Sequence, residues 1–276
     1  MKKRSFLLFF MYFAAFSCMS QIRIGNGESI AFAGDRTAAA CRGDKTFRGY
    51  MYLVADALKS SAITVKFLPC GVTGDTAESF LKRMPGAVPA GKVQWMILSL
   101  GINDAFSKKT NLEEYKKNIV SILDLAGKNG VKVIVLTTIP CGENLTSANN
   151  RKLIPFNAFL REEAKKRSLL LADVNRAFSE ELAKKELAAI QGGKLLLYNT
   201  SINGRGHFVI ASVLLETMGF PKGKIASLRR KWEEKYPSSK IYLNITFSEF
   251  VTAGKEGAKK NMGVKEYIAD RVKNVK

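Results

Sequence analysis

The chain has 276 residues, 46% of them hydrophobic and 25% charged, and its 44 Lys+Arg against 24 Asp+Glu give a net charge of +20. That balance excludes wholesale disorder, and the length accommodates one α/β domain with an appendage. A single histidine, and cysteine spacings that match no zinc site, leave no metal centre to expect, while the excess of cations attracts polyanions of any kind.

Lys2, Lys3 and Arg4 precede an apolar run over 6–16, followed by Ser17, Cys18, Met19 and Ser20. This is the order of a secretory signal peptide, so residues 1–20 are expected to direct export and be removed, or to leave Cys18 as a lipid anchor. Loss of the three leading cations leaves a charge of +17. No later segment is long and apolar enough to cross a bilayer. In an oxidising compartment Cys41, Cys70 and Cys141 would supply one pair and one free thiol. Cys41 and Cys70, both following early strands, are the expected pair.

The apolar run at 30–33 predicts a buried strand that stops at Gly34 and presents Asp35, Arg36 and Thr37 where the chain turns into a helix. Apolar spacing then predicts a helix over 47–59, a strand over 63–68 and a short helix over 76–84, with a turn-rich link over 85–91. The unbroken apolar run 95–100, closed by Gly101, suits a central parallel strand buried on both faces. A helix over 112–128, a strand over 131–137, a helix over 153–167, a strand over 169–172, and helices over 178–190 and 206–218 complete the alternation. Such a βα repeat implies a parallel sheet with helices on both faces. Residues 21–222 are read as this main domain. Residues 223–276 are read as a charged helical connection and a small α+β appendage with a strand at 241–245 and helices at 248–260 and 264–275.

Three strand ends carry the chemistry: Gly34-Asp35-Arg36, Gly71-Val72-Thr73-Gly74-Asp75-Thr76 and Gly101-Ile102-Asn103-Asp104. In this order they resemble the blocks of the SGNH/GDSL hydrolases. That resemblance implies a flavodoxin-like three-layer α/β/α sandwich with a five-stranded parallel sheet. It also implies hydrolysis of acyl esters, often acetyl groups on carbohydrates, without a metal or an organic cofactor. It implies an oxyanion hole made by the backbone N–H groups of the nucleophile position and of Gly71 and by the Asn103 side chain, with Asp35, Asp104 and Asn203 flanking it. Preorganised donors of this kind meet charge as it develops. The nucleophile position, however, holds Arg36. When the fourth block is anchored on Asn203, Gly206 and Ala211, the aspartate position falls on Tyr198 and the histidine position on Ser201.

An arginine neither attacks nor accepts a proton near neutral pH. It can pair with Asp35 or Asp104 and fill the old cavity, or join the oxyanion donors in a site for a carboxylate, sulfate or phosphate. The first functional expectation is therefore an exported protein without serine-esterase chemistry, either structural or holding an anionic or carbohydrate-derived ligand. A second is an active esterase with Thr37 as nucleophile and His207 as base. A third is a polyanion or nucleic-acid binder using the basic surface and the 238–276 unit, whose strand-helix-helix order resembles a ribbon-helix-helix DNA-binding unit. Export argues against a specific nucleic-acid ligand. The sequence is silent on oligomeric state.

Overall fold

A computed structural model describes residues 22–43, 48–184, 187, 194–236, 247–260 and 262. Five parallel strands, β1 (Ser29–Gly34), β2 (Lys66–Gly71), β3 (Trp95–Ser99), β4 (Lys132–Leu136) and β5 (Leu170–Ala172), form one sheet in the order β2-β1-β3-β4-β5. The helices are α1 (Arg36–Ala39), α2 (Tyr50–Lys59), α3 (Ala77–Ala87), α4 (Ile102–Phe106), α5 (Leu112–Lys128), α6 (Ala148–Lys166), α7 (Val174–Leu182), α8 (Gly204–Thr217), α9 (Lys222–Lys235) and α10 (Phe247–Lys259). A short antiparallel hairpin, β6 (Leu196–Tyr198) and β7 (Ser201–Ile202), precedes α8. This is the expected α/β architecture with a five-stranded parallel sheet.

Side chains alternate across β1, and that alternation divides the core. Ile30 and Phe32 join Ile97, Ile134 and Leu136 under α2 and α8, whereas Ala31 and Ala33 join Met96, Leu98 and Val135 under α3, α5 and α6. At the carboxyl end the register aligns Gly71 with Gly34, Gly34 with Ser99, Ser99 with Leu136, and Leu136 with Ala172. All five strands therefore end in one row, and the loops that follow them share one rim of the sheet.

Some boundaries differ from the sequence reading for local reasons. Strand β2 runs three residues later than expected, through Pro69 to Gly71. On this edge strand a missing proline N–H is tolerated. Helix α3 continues through Pro85 instead of stopping before it, and α6 starts at Ala148, capped by the Ser147 side chain, with Pro155 inside. Burial of Leu153, Phe156 and Leu160 outweighs the bond lost at Pro155. Helix α7 begins at Val174 because Asp173 caps it. The expected strand at 241–245 and helix at 264–275 lie outside the described residues, as do residues 1–20.

The expected Cys41–Cys70 pair is not formed: both thiols are free, as is that of Cys141. Cys41 packs with the α2 and α8 side of the core, its sulfur 3.8 Å from that of Met51. Cys70 packs with the opposite side and donates to the Ala87 carbonyl at 3.1 Å.

Gly34 has φ +126°, and a Cβ there would lie 1.9 Å from the Ser99 carbonyl oxygen. Gly34→Ala is therefore expected to destabilise the fold by about 2–4 kcal/mol. Gly127→Ala, in exposed helix with open space around it, should instead stabilise by about 0.5–1 kcal/mol. Urea unfolding of both variants checks the contrast, and a neutral Gly34→Ala would contradict the described turn.

Candidate functional site

The site grows from the aligned strand ends. The Asp35 backbone N–H donates to the Ser99 carbonyl at 2.9 Å, holding the turn after β1 against β3. The Asp35 side chain then accepts from Thr37 N–H at 3.0 Å and caps α1. This places Arg36 on the first turn of the helix with its side chain exposed, while Thr37 points into the protein. Tyr50 O–H donates to the Thr37 carbonyl at 2.9 Å and ties α1 to α2.

The opposite wall is the β6–β7 hairpin. Glu143, in the loop after β4, accepts from the N–H groups of Leu195 and Leu196 at 2.7 and 2.9 Å, and Gly142 N–H donates to Asn199 O at 2.9 Å. Asn199 turns the hairpin with φ +43°, a left-handed conformation that asparagine tolerates better than most residues. Asn203 caps α8 by accepting from Gly206 N–H at 2.9 Å. Gly206 needs its missing Cβ because one would meet the Leu195 carbonyl oxygen at 2.4 Å. The landmarks Asn203 and Gly206 are thus backbone devices that set the hairpin against α8.

With both walls in place, Arg36 Nη1 donates to Ser201 Oγ at 3.4 Å. Two positions 165 residues apart, assigned to nucleophile and base by sequence blocks alone, meet in space. Tyr198 lies opposite Ser201 in the hairpin ladder.

The expected pairing of Arg36 with Asp35 or Asp104 does not occur, and among the described residues its guanidinium makes no ion pair. Both carboxylates are 1% exposed and serve backbone N–H groups, Asp35 at Thr37 and Asp104 at Ala77, the latter at 2.9 Å. The arginine lies outside them, facing solvent. Burial raises Asp35 to about 7, aided by the charge of Asp104 and opposed by N–H groups of Thr37 and Ile102. Burial likewise raises Asp104 to about 6, with the charge of Asp75 adding to it and the Ala77 N–H opposing it.

Asn103, half-buried on α4, donates through Nδ2 to the Asp75 carbonyl at 2.7 Å. It therefore faces the Gly74–Asp75 end of the second loop, where Gly74 has φ +97°. Gly71 itself is required for packing: a Cβ there would lie 2.2 Å from Ala39 N and 2.3 Å from Ala38 C. Thr37 and His207 are both buried. His207 Nδ1 accepts from Tyr50 N–H at 3.4 Å, and its ring centroid lies 5.8 Å from that of Tyr50. The imidazole packs between α8 and α2, away from solvent where a substrate would arrive.

Two residues that support the site escaped the sequence reading. Arg83 on α3 pairs with Asp75 and donates to the Cys70 carbonyl at 2.8 Å, pinning the loop after β2. Glu143 holds the hairpin as described. A carboxylate eight residues ahead of an arginine, and one in a loop, are signals too common to single out.

A model of the GDSL-like lipase/acylhydrolase family matches residues 27–200. An acetylxylan esterase of Geobacillus stearothermophilus is 25% identical over 219 residues, spanning 72% of this chain and 97% of that one. Its solved structure superposes with a TM-score of 0.61 at 22% identity, covering 72% of this chain and 98% of that chain. Solved catalytic mutants of that esterase replace a serine, an aspartate and a histidine, the last two three positions apart. An α/β hydrolase from the Lake Arreo metagenome has the same fold, with a TM-score of 0.61, 21% identity and the same coverages of 72% and 98%.

The buried pair Asp35 and Asp104 carries a pH signature. Raised carboxyl groups favour the protonated folded state, so their contribution is full below the ordinary carboxylate range, near 4, and is lost as pH rises through about 6 and 7. Glu28, Asp173 and Glu181 are held below their ordinary values and act with opposite sign, but only at lower pH. Stability is thus expected to fall between about pH 5 and 7 and to level off above. Asp104→Asn, which keeps an acceptor for Ala77 N–H, should flatten that slope. Urea midpoints measured across the range test this, and an unchanged slope would sink it.

Proposed function

The chain belongs to the GDSL-like lipase/acylhydrolase family, and from that premise we propose that it is an exported member that binds an anionic, carbohydrate-derived ligand at Arg36 and does not hydrolyse esters. The observation that carries this reading is the Arg36 guanidinium. It stands exposed at the strand end where the family places its nucleophile, donates to Ser201 Oγ at 3.4 Å and, among the described residues, pairs with no carboxylate.

A guanidinium stays protonated near neutral pH and has no lone pair to attack a carbonyl. Its planar fork suits a carboxylate or phosphate, and an ion bound there would meet the Ser201 hydroxyl, 3.4 Å from Nη1. The excess of cations, +17 once residues 1–20 are removed, draws such a ligand in. The acetylxylan esterase supports a carbohydrate as the ligand class. Its catalytic aspartate and histidine, three positions apart, support the assignment of the same spacing to Tyr198 and Ser201. The basic, apolar and small-residue segments of 1–20 support export.

Purified protein is expected to turn over 4-nitrophenyl acetate no faster than buffer. It should bind glucuronate with an affinity that falls as salt rises, since the contact is ionic. Arg36→Ala should weaken that binding about tenfold to a hundredfold, the worth of a charge-assisted hydrogen bond. Calorimetric titration and a spectrophotometric esterase assay measure both. Turnover by the natural protein that disappears in His207→Ala would overturn the reading and make His207 the base.

A further inference from the structure

The wall of the site that runs along α4 has its own chemistry. Asn103 and Phe106 are three residues apart on α4 and so share a face of that helix. Phe106 closes the helix with 36% of its surface exposed. Lys152, on the first turns of α6, sets its ammonium 5.6 Å from the Phe106 ring centroid. Lys108 and Lys109 follow α4 directly and are exposed.

Among the described residues none of these three ammonium groups makes an ion pair, and the neighbouring acids are already engaged. Asp104 is buried on Ala77 N–H, Glu113 pairs with Lys116 at 2.7 Å, and Glu114 accepts from Asn111 N–H in the cap of α5. The rim is apolar as well as basic. Five large hydrophobic side chains are exposed among the described residues, and three of them, Val72, Phe106 and Leu145, lie on the segments that follow β2, β3 and β4. That is the rim on which Arg36 stands.

An exposed aromatic ring offers a face to the C–H groups of a sugar, and an unneutralised ammonium beside it offers a partner for a carboxylate on that sugar. We propose that the rim from Arg36 past Asn103 to Phe106 and Lys152 is an extended subsite for an acidic oligosaccharide, with one acidic unit at Arg36 and a further unit against Phe106. This rests on the reading of Arg36 as a ligand site and goes beyond it by assigning a polymeric, uronate-bearing ligand. Charge complementarity selects that occupant over a neutral glycan.

The test is calorimetric titration with galacturonate, its linear trimer and neutral xylotriose. The natural protein, Arg36→Ala, and a Phe106→Ala/Lys152→Ala double variant are compared, with folding checked by thermal melts. Both residues of the double variant are on the surface, so its melting temperature should hold. The acidic trimer is expected to bind at least about tenfold tighter than the monomer, as a second contact adds to the first. The double variant should bring the trimer down to the affinity of the monomer, and Arg36→Ala should weaken both ligands. A trimer advantage that survives in the double variant, or xylotriose bound as tightly as the acidic trimer, overturns the extended subsite and leaves Arg36 standing. Binding of monomer and trimer that is untouched by Arg36→Ala overturns the Arg36 reading itself.

Discussion

The contact between Gly34 and the Ser99 carbonyl is the constraint on which the site depends. The close approach at the end of β1 allows the chain to turn at once, and the Asp35 N–H immediately uses the same carbonyl as its acceptor. From there Asp35 caps α1, Arg36 is placed on the outer surface, and Tyr50 closes the back of α1 from α2. A side chain at position 34 would push β1 and β3 apart at the row where all five strands end. Every loop that contributes to the site would then lose its reference point.

Charge is layered around that turn. Beneath it lie two carboxylates that accept from backbone N–H groups and whose pKa values burial raises. Above it stands a guanidinium open to solvent. Had Arg36 reached down to Asp35 or Asp104, the pair would have been buried, and desolvating both ions would have cost several kcal/mol before any attraction returned it. Keeping the acids below and the arginine above avoids that cost. It also leaves the cation open to solvent.

The sheet was legible in the sequence because its strands are short, mostly apolar runs, the first three closed by glycine, and because the helices between them keep their period. Arg36 and Ser201 were legible as neighbours only through block spacing; nothing in composition joins residues 165 apart. What stayed hidden was what depends on side-chain direction. Cys41 follows β1 and Cys70 lies within the adjacent β2, yet they pack into opposite halves of the core, so proximity in topology did not make a pair. Gly71 read as an oxyanion donor, whereas its visible requirement is the approach of Ala38 and Ala39. Asn103 also donates to the Asp75 carbonyl, a contact that block spacing does not announce. Arg83 and Glu143 hold the loops by single side chains, with no periodicity to announce them.

The same distinction separates the residues that hold the backbone from those that face the rim. Gly34, Asp35, Asp104, Asn203 and Gly206 all serve the backbone: a turn, two helix caps, an N–H at the start of α3 and a close approach to Leu195. Replacing any of them strains the fold whether or not chemistry is performed. The side chains of Arg36 and Ser201 hold no backbone group and instead meet each other at 3.4 Å.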